Sequence, residues 1–382
     1  MTDEQRGPQV RVGVVGAGQL ARMMGEEADA VSVRLVVMAA APDDSAIATA
    51  AGCMLGGPRS RDDLSALASV VDVITFDHEL VDLDLLQEFV TAGVVVRPSP
   101  SALRFSVDKL VQREAFTAAG LPVPAYCAVR QPADLPASFT ANGALPVLKA
   151  PTGGYDGRGV YFPDSLEECH ALIRAMGASG PVLVEERCTL LSEVAQMVVR
   201  GVDGDIALYP VVTTVQAEGM CNEVRFPSGL DEALVAEANT LTARIADLVG
   251  LVGVMAVEYF VTPQGLLINE LALRPHNSGH WTIEGCATSQ FANHLLAVSG
   301  QPLGSAEPVV TAAVMVNVVG SDVAATPEAA AIEGAHVHHY GKAWRSGRKL
   351  GHVTVTGDDL AALRVQAWKS AHLYGTRTQE TQ

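Results

Sequence analysis

The 382-residue sequence has no apolar run approaching the roughly 20 residues that a membrane-spanning helix needs. It has no CxxC pair, and its six cysteines, at 53, 127, 169, 188, 221 and 286, share no repeated spacing. That pattern opposes a disulfide framework or a structural zinc site and predicts buried thiols. GxxxxGK[ST] is also missing, so any use of ATP proceeds without a P-loop. Cations are scarce: 26 Lys and Arg stand against 43 Asp and Glu, a net charge of −17. Such a field argues against nucleic acid or an anionic membrane as partner, and any anionic ligand must be gripped by local cations. The opening "MTDEQRGPQV" lacks the basic-then-apolar order of a secretory signal, which predicts a cytoplasmic location. No internal repeat occurs, and the one biased tract is a short Ala-rich patch at 324–331.

What is present is a globular composition, 48% hydrophobic and 18% charged, in a chain long enough for two or three domains. Residues 1–105 alternate strand and helix: "VRVGVVG", "QLARMMGEEADA", "VSVRLVVMAA", "VVDVITF", "VDLDLLQEFVTAG". This rhythm predicts an α/β domain with a parallel sheet covered on both faces, ending near Pro98 and Pro100. Residues 106–305 change to strand pairs and longer helices, an α+β pattern with antiparallel sheets. The helix "VDKLVQREAFTAAG" opens this part, and helices are predicted near 165–178 and 231–249. A third part, 306–382, carries the strand "VVTAAVMVNVVG", the basic turn "GKAWRSGRKLGH" and a terminal helix.

Among the motifs, Gly16-x-Gly18-x-x-Ala21 follows a strand and opens a helix, where backbone N–H groups can cradle phosphate. The second strand ends in Ala39 and Ala40 rather than in the acidic residue that holds a dinucleotide ribose, so NAD is disfavoured against another phosphate or plain packing. The hairpin "VMAVEYFVTPQGLLINELAL" is more informative. With its turn centred on Gln264, Glu258 faces Glu270, and directly opposed Cβ atoms lie roughly 4.5 to 5.5 Å apart. Two carboxylates so close among apolar residues repel one another and lose hydration. A hard divalent cation answers this best; an Arg partner for each, or one protonated Glu, answers it otherwise. Just beyond, "RPHNSGHW" sets Arg274, His276, Asn277 and Ser278 beside the pair, donors suited to a small oxyanion. His276 and His280 are four apart, but Pro275 and Gly279 oppose a helix there and the Glu of HExxH is missing, which disfavours zinc.

"PVLVEERC" ends a strand in Glu185 and Glu186, with Glu193 a short loop later. Alone these read as solvated charge. With Lys109, Lys149 and the glycine loop "TGGYDGRG" they form a nucleotide slot, cations for phosphate and acceptors for ribose. Lys342, Arg345, Arg348 and Lys349 gather in the basic turn and read either as a solvated loop or as a phosphate anchor.

The ordered set "TGGYDGRG", "VEE" with Glu193, "VEYF…LLINELALRPHNSGHWTIEG", "TSQF" and "GRKLGH" resembles the ATP-dependent N5-carboxyaminoimidazole ribonucleotide synthetases over nearly the whole chain. The resemblance implies an ATP-grasp fold with an N-terminal Rossmann-like (preATP-grasp) domain and a small C-terminal domain. It also implies a homodimer that carboxylates 5-aminoimidazole ribonucleotide with bicarbonate and ATP, using Mg²⁺ or Mn²⁺. By the same resemblance Lys109, Lys149, Gly153, Gly154, Gly157, Glu185, Glu186, Glu193 and Asn269 bind ATP, and Glu258 and Glu270 bind the metal. Arg274, His276, Asn277 and Ser278 form the bicarbonate and carboxyphosphate pocket. Tyr155, Asp156 and Arg158, with Lys342, Arg348 and Lys349, hold the ribonucleotide, Asp156 and Arg158 acting in catalysis as well.

A glycine-rich flap that opens for substrates and closes over them fits this chemistry, because carboxyphosphate must be kept from water. Ala150, Pro151, Leu273, Ser346 and "TFDHELVD" depart from the commoner family pattern and bear on affinity. Another ATP-grasp ligase, such as a formate-dependent glycinamide ribonucleotide transformylase, is the nearest alternative; "RPHNSGHWT" and "GRKLGH" favour the carboxylating reading.

Overall fold

A computed structural model describes residues 9–153, 159–217, 219–322, 325–326 and 332–376. The first part is β1 (Val10–Val15), α1 (Gln19–Ala28), β2 (Val33–Ala39), β3 (Gly52–Leu55), α2 (Arg61–Val70), β4 (Val73–Phe76) and α3 (Leu83–Thr91). Its sheet runs β3-β2-β1-β4, all parallel, as the alternation predicts. Every residue of β4 is buried, the mark of a central strand covered on both faces.

The predicted helix over residues 107–120 is α5 (Lys109–Ala118), and a separate helix not predicted from the sequence, α4 (Pro100–Val107), precedes it. Asp108 separates them: its backbone is extended and its carboxylate accepts from Leu110 N and Val111 N at 2.9 and 3.2 Å. This N-cap makes Lys109 the first residue of α5. A small antiparallel sheet follows, ordered β5-β8-β6-β7, from β5 (Tyr126–Val129), β6 (Val147–Lys149), β7 (Val160–Tyr161) and β8 (Val182–Glu185), with α6 (Leu166–Gly177) against it.

The large sheet begins with β9 (Ser192–Arg200), β10 (Ile206–Leu208), β11 (Val212–Ala217) and β12 (Met220–Phe226). After α7 (Glu232–Val249) come β13 (Gly253–Thr262) and β14 (Gly265–Ala272), then α8 (Thr282–Gly285) and α9 (Gln290–Ser299). The C-terminal elements are β15 (Ala312–Val319), β16 (Ala335–His339), β17 (Lys349–Gly357) and α10 (Leu360–Leu373). Their strands extend the large sheet: its order is β14-β13-β9-β11-β12-β15-β17-β16, with β10 on β9. The third part of the chain therefore shares a sheet with the second, through β12–β15 pairing.

Helix α9 ties the parts together. Phe291, Leu295 and Val298 join the core of the parallel sheet, and His294 bonds Thr75 Oγ1 on β4 at 2.8 Å and accepts from Val254 N on β13 at 3.1 Å. Of the cysteines, 169, 221 and 286 are buried; Cys53 is exposed and Cys127 and Cys188 are partly so, which corrects the expectation of uniformly buried thiols. No helix among the described residues is long and apolar enough to cross a membrane.

Candidate active site

The first glycine motif serves packing. Asp77, just after β4, accepts from Gly18 N and Ala21 N at 2.9 and 2.8 Å, so a carboxylate of the chain already occupies the N-terminus of α1. A Cβ on Gly18 would fall 2.4 Å from Asp77 Oδ2, and Gly16 has φ +101°. Asp44 is likewise used locally, accepting from Ala40 N and Ala41 N.

The site lies where β6, β8, β13, β14 and α5 converge. Lys149, at the end of β6, is buried and donates to Glu185 Oε2 at 2.6 Å and to Asn269 Oδ1 at 3.1 Å. Glu185, only 2% exposed, also accepts from Arg113 Nε at 2.6 Å. Burial works against the charge on Glu185, but Lys149 and Arg113 outweigh it and hold the carboxyl below the usual range. Burial pulls the Lys149 ammonium below its ordinary value, with Glu185 opposing and Arg113 adding to the effect. Glu185, which the resemblance sets among the ATP-binding residues, has its carboxylate committed to two cations. Glu186 is exposed, and its N–H donates to Ala125 O at 2.9 Å.

Glu258 does face Glu270, by a route the sequence does not display. The β13–β14 turn is Pro263–Gln264, between the paired Thr262 and Gly265, which alone would set Glu258 opposite Asn269. A bulge between Glu258/Tyr259 and their partners makes Asn269 an extra residue on β14, and Glu270 moves opposite Glu258. The carbonyl freed at Asn269 accepts from Arg113 Nη2 at 2.5 Å. Arg113 is the functional residue that sequence reasoning missed. Its one available signal is the i, i+4 spacing from Lys109, which puts both cations on the hairpin side of α5.

Lys109 Nζ donates to Glu270 Oε2 at 2.9 Å. Burial raises Glu270, but Lys109, Lys149 and His276 more than reverse it and leave its pKa low. Glu258 goes the other way, raised by burial and by Glu270 and Glu193, with Lys109 and Lys349 only partly offsetting. Glu193 on β9 pairs with Phe260 and shares the face of Glu258. Burial first and Glu270 second raise its pKa. Three carboxylates thus share one face with Lys109, Lys149 and Lys349 acting on them, and two of the three, Glu193 and Glu258, are held above their usual range.

The Arg274–Ser278 loop follows β14. Arg274 Nε donates to Glu79 Oε2 at 2.7 Å, which gives "TFDHEL" a role: Asp77 caps α1 and Glu79 aims Arg274. His276 Nδ1 lies 2.9 Å from Ser278 Oγ, and Nε2 lies 3.7 Å from Glu258 Oε1. Asn277 turns away: its side-chain amide exchanges two hydrogen bonds with Asn317 on β15, at 2.9 and 2.6 Å. His280 is fully buried, 4.8 Å from the ring of His352 and bonded to Gln290, so it diverges from His276.

The basic turn is fixed to the end of β15 by Gly320 N donating to Arg348 O and Gly347 N donating to Gly320 O, both 2.9 Å. Lys349 opens β17 and acts on Glu258, and Lys342 Nζ donates to Gln19 Oε1 of the first glycine motif. Arg348 is partly exposed and donates to Ala343 O at 3.2 Å. Gly153, φ +76°, has open space around it. The candidate residues Gly154, Tyr155, Asp156, Gly157 and Arg158 lie outside the described residues.

Three family models match successive parts of the chain: a ribonucleotide synthetase preATP-grasp domain over 9–107, an ATP-grasp domain over 114–291, and a phosphoribosylaminoimidazole carboxylase C-terminal domain over 313–366. The N5-carboxyaminoimidazole ribonucleotide synthase of Mycobacterium tuberculosis is 44% identical over 378 residues, covering 94% of this chain and 87% of that protein. The crystal structure of the Thermus thermophilus synthetase superposes with a TM-score of 0.86 at 33% identity, over 97% of this chain and 100% of that one. The Aspergillus clavatus enzyme, solved with ADP and 5-aminoimidazole ribonucleotide, superposes at 0.84 with 30% identity, over 94% and 96% of the two chains. The chain belongs to the N5-carboxyaminoimidazole ribonucleotide synthase family of ATP-dependent ATP-grasp ligases.

Proposed function

We propose that this chain carboxylates 5-aminoimidazole ribonucleotide with bicarbonate and ATP, giving N5-carboxyaminoimidazole ribonucleotide, ADP and phosphate, and that it works as a homodimer in purine biosynthesis. The observation that carries the reading is the face shared by Glu193, Glu258 and Glu270, flanked by Lys109 and Lys149 and bordered by the Arg274–Ser278 loop.

Two opposed carboxylates, one raised in pKa by the other, suit a hard cation whose remaining ligands are phosphate oxygens. Glu258 and Glu270 would hold Mg²⁺ or Mn²⁺, which neutralises charge on the transferred phosphoryl group when bound. Lys109 and Lys149 hold the nucleotide phosphates, with Glu186 and Glu193 toward the base and ribose. Glu185 keeps Lys149 in place from behind.

A bicarbonate oxygen attacks the γ-phosphorus, the bond from phosphorus to the ADP oxygen breaks, and carboxyphosphate forms against Arg274, His276 and Ser278. Asn277 holds that loop through Asn317. The ribonucleotide, gripped by Lys342, Arg348, Lys349, Tyr155 and Arg158, presents its exocyclic amine. The amine nitrogen bonds to the carboxyl carbon, phosphate leaves with the bridging oxygen, and Asp156 takes the amine proton.

Incubation with [¹³C]bicarbonate tests this: a carbamate ¹³C resonance that appears only when ATP and the ribonucleotide are both present supports it. Label transfer from [¹³C]formate instead would assign a formate-using ligase.

A further inference from the structure

The run "TSQF", Thr288 to Phe291, has no part in the steps above. Gln290 is fully buried at the start of α9, and its amide brackets a single residue of the Arg274–Ser278 reaction loop. Gln290 Oε1 accepts from His276 N at 2.8 Å, and Gln290 Nε2 donates to His276 O at 2.7 Å. This is the exchange by which one strand pairs with another, made here by a side chain. The clamp has no slack, because a Cβ on Gly279 would lie 2.5 Å from Gln290 Oε1. Its base is equally fixed: Gln290 N donates to Thr282 Oγ1 at 2.9 Å, and α9 is buried between the parallel sheet and β13.

We propose that Gln290 is the positioning residue of the reaction loop. By holding the His276 backbone on both sides it keeps Arg274 and the His276 imidazole in register with Glu258, so that carboxyphosphate meets the ribonucleotide amine before it meets water. The inference rests on the carboxylation reading. Water attack on carboxyphosphate returns bicarbonate and phosphate, so a loosened loop forms ADP without carboxylating ribonucleotide.

Three variants test the clamp. Gln290→Glu keeps the shape but sets an acceptor against the His276 carbonyl, Gln290→Met removes both bonds to His276 along with the one to His280, and Gly279→Ala displaces the amide from outside. Asn293→Met is the control. Asn293 is equally buried one turn along α9, bonded to Tyr209 and Gly304, without a bond to the loop. The measurements are ADP affinity by calorimetry, ADP formed per ribonucleotide carboxylated, and the His276 imidazole resonances in ¹⁵N-histidine-labelled protein.

The three clamp variants are expected to bind ADP as the parent does, to shift the His276 resonances, and to raise both the ADP-to-product ratio and the bicarbonate KM. The KM rise is about tenfold, the equivalent of one lost hydrogen bond. Asn293→Met is expected to lower stability and leave the ratio and the resonances unchanged. An unchanged ratio in folded clamp variants, or an equal rise in Asn293→Met, overturns the proposal. If the parent protein carboxylates no ribonucleotide, the functional reading fails on its own, and unmoved His276 resonances in the clamp variants then reject the clamp separately.

Discussion

Replacing Arg113 with Met isolates the element that supports both halves of the nucleotide site. Met fills much of the aliphatic volume, so the loss is electrostatic and hydrogen-bonded rather than a large cavity. Arg113 makes three bonds from a position 1% exposed: to Glu185, to the Asn269 carbonyl and to Gln112 Oε1 at 2.8 Å. Glu185 keeps Lys149, so one charge-assisted bond worth about 1.5–3 kcal/mol is lost, with about 1 kcal/mol for each neutral acceptor left without its donor. The sum falls in the ~3–5 kcal/mol range for removing one member of a buried ion pair. Urea denaturation of Arg113→Met should show that loss, and Arg113→Met with Glu185→Gln should lose less than the two single changes added together. A loss under about 1 kcal/mol, or strict additivity, would refute the triad as an energetic unit. The same variant should raise the ATP KM, since the Asn269 bulge and Lys149 both lose their backing.

Other changes probe separate parts. Glu270→Gln is predicted to leave far-UV circular dichroism intact and abolish metal-dependent turnover; normal ADP formation would make the hairpin pair structural. Arg348→Ala should raise the KM for ribonucleotide far more than that for ATP, and equal effects would remove the phosphate-anchor role. His338 Nε2 lies 2.6 Å from Glu284 Oε1, and although burial lowers its pKa, Glu284 raises it above the ordinary histidine value. Its contribution to stability is therefore complete below the unfolded value near 6.5 and is lost as pH rises through the folded value. Glu284→Gln should flatten that limb of the stability–pH curve, and an unchanged limb contradicts the pairing.

How much of this was legible in the sequence follows from the range of each signal. Strand and helix alternation is local, so the parallel sheet, α6 and α7 stand where periodicity puts them. The facing of Glu258 and Glu270 was legible as a result but not as a mechanism: the turn lies half a residue from Gln264, and the Asn269 bulge makes up the difference. Contacts between distant residues left no trace. Arg113 meets Glu185 across 72 positions and Arg274 meets Glu79 across 195, and nothing in either neighbourhood names its partner. The same holds for Asn277, whose residue type suits an oxyanion pocket but whose amide is taken by Asn317, 40 residues on.

The most direct test of the account is ADP release by the purified protein with ATP and Mg²⁺, with and without 5-aminoimidazole ribonucleotide, in buffers depleted of or supplied with bicarbonate. The account predicts sustained turnover only when both are present. ADP release that neither addition stimulates, under conditions where ATP binds, would contradict it.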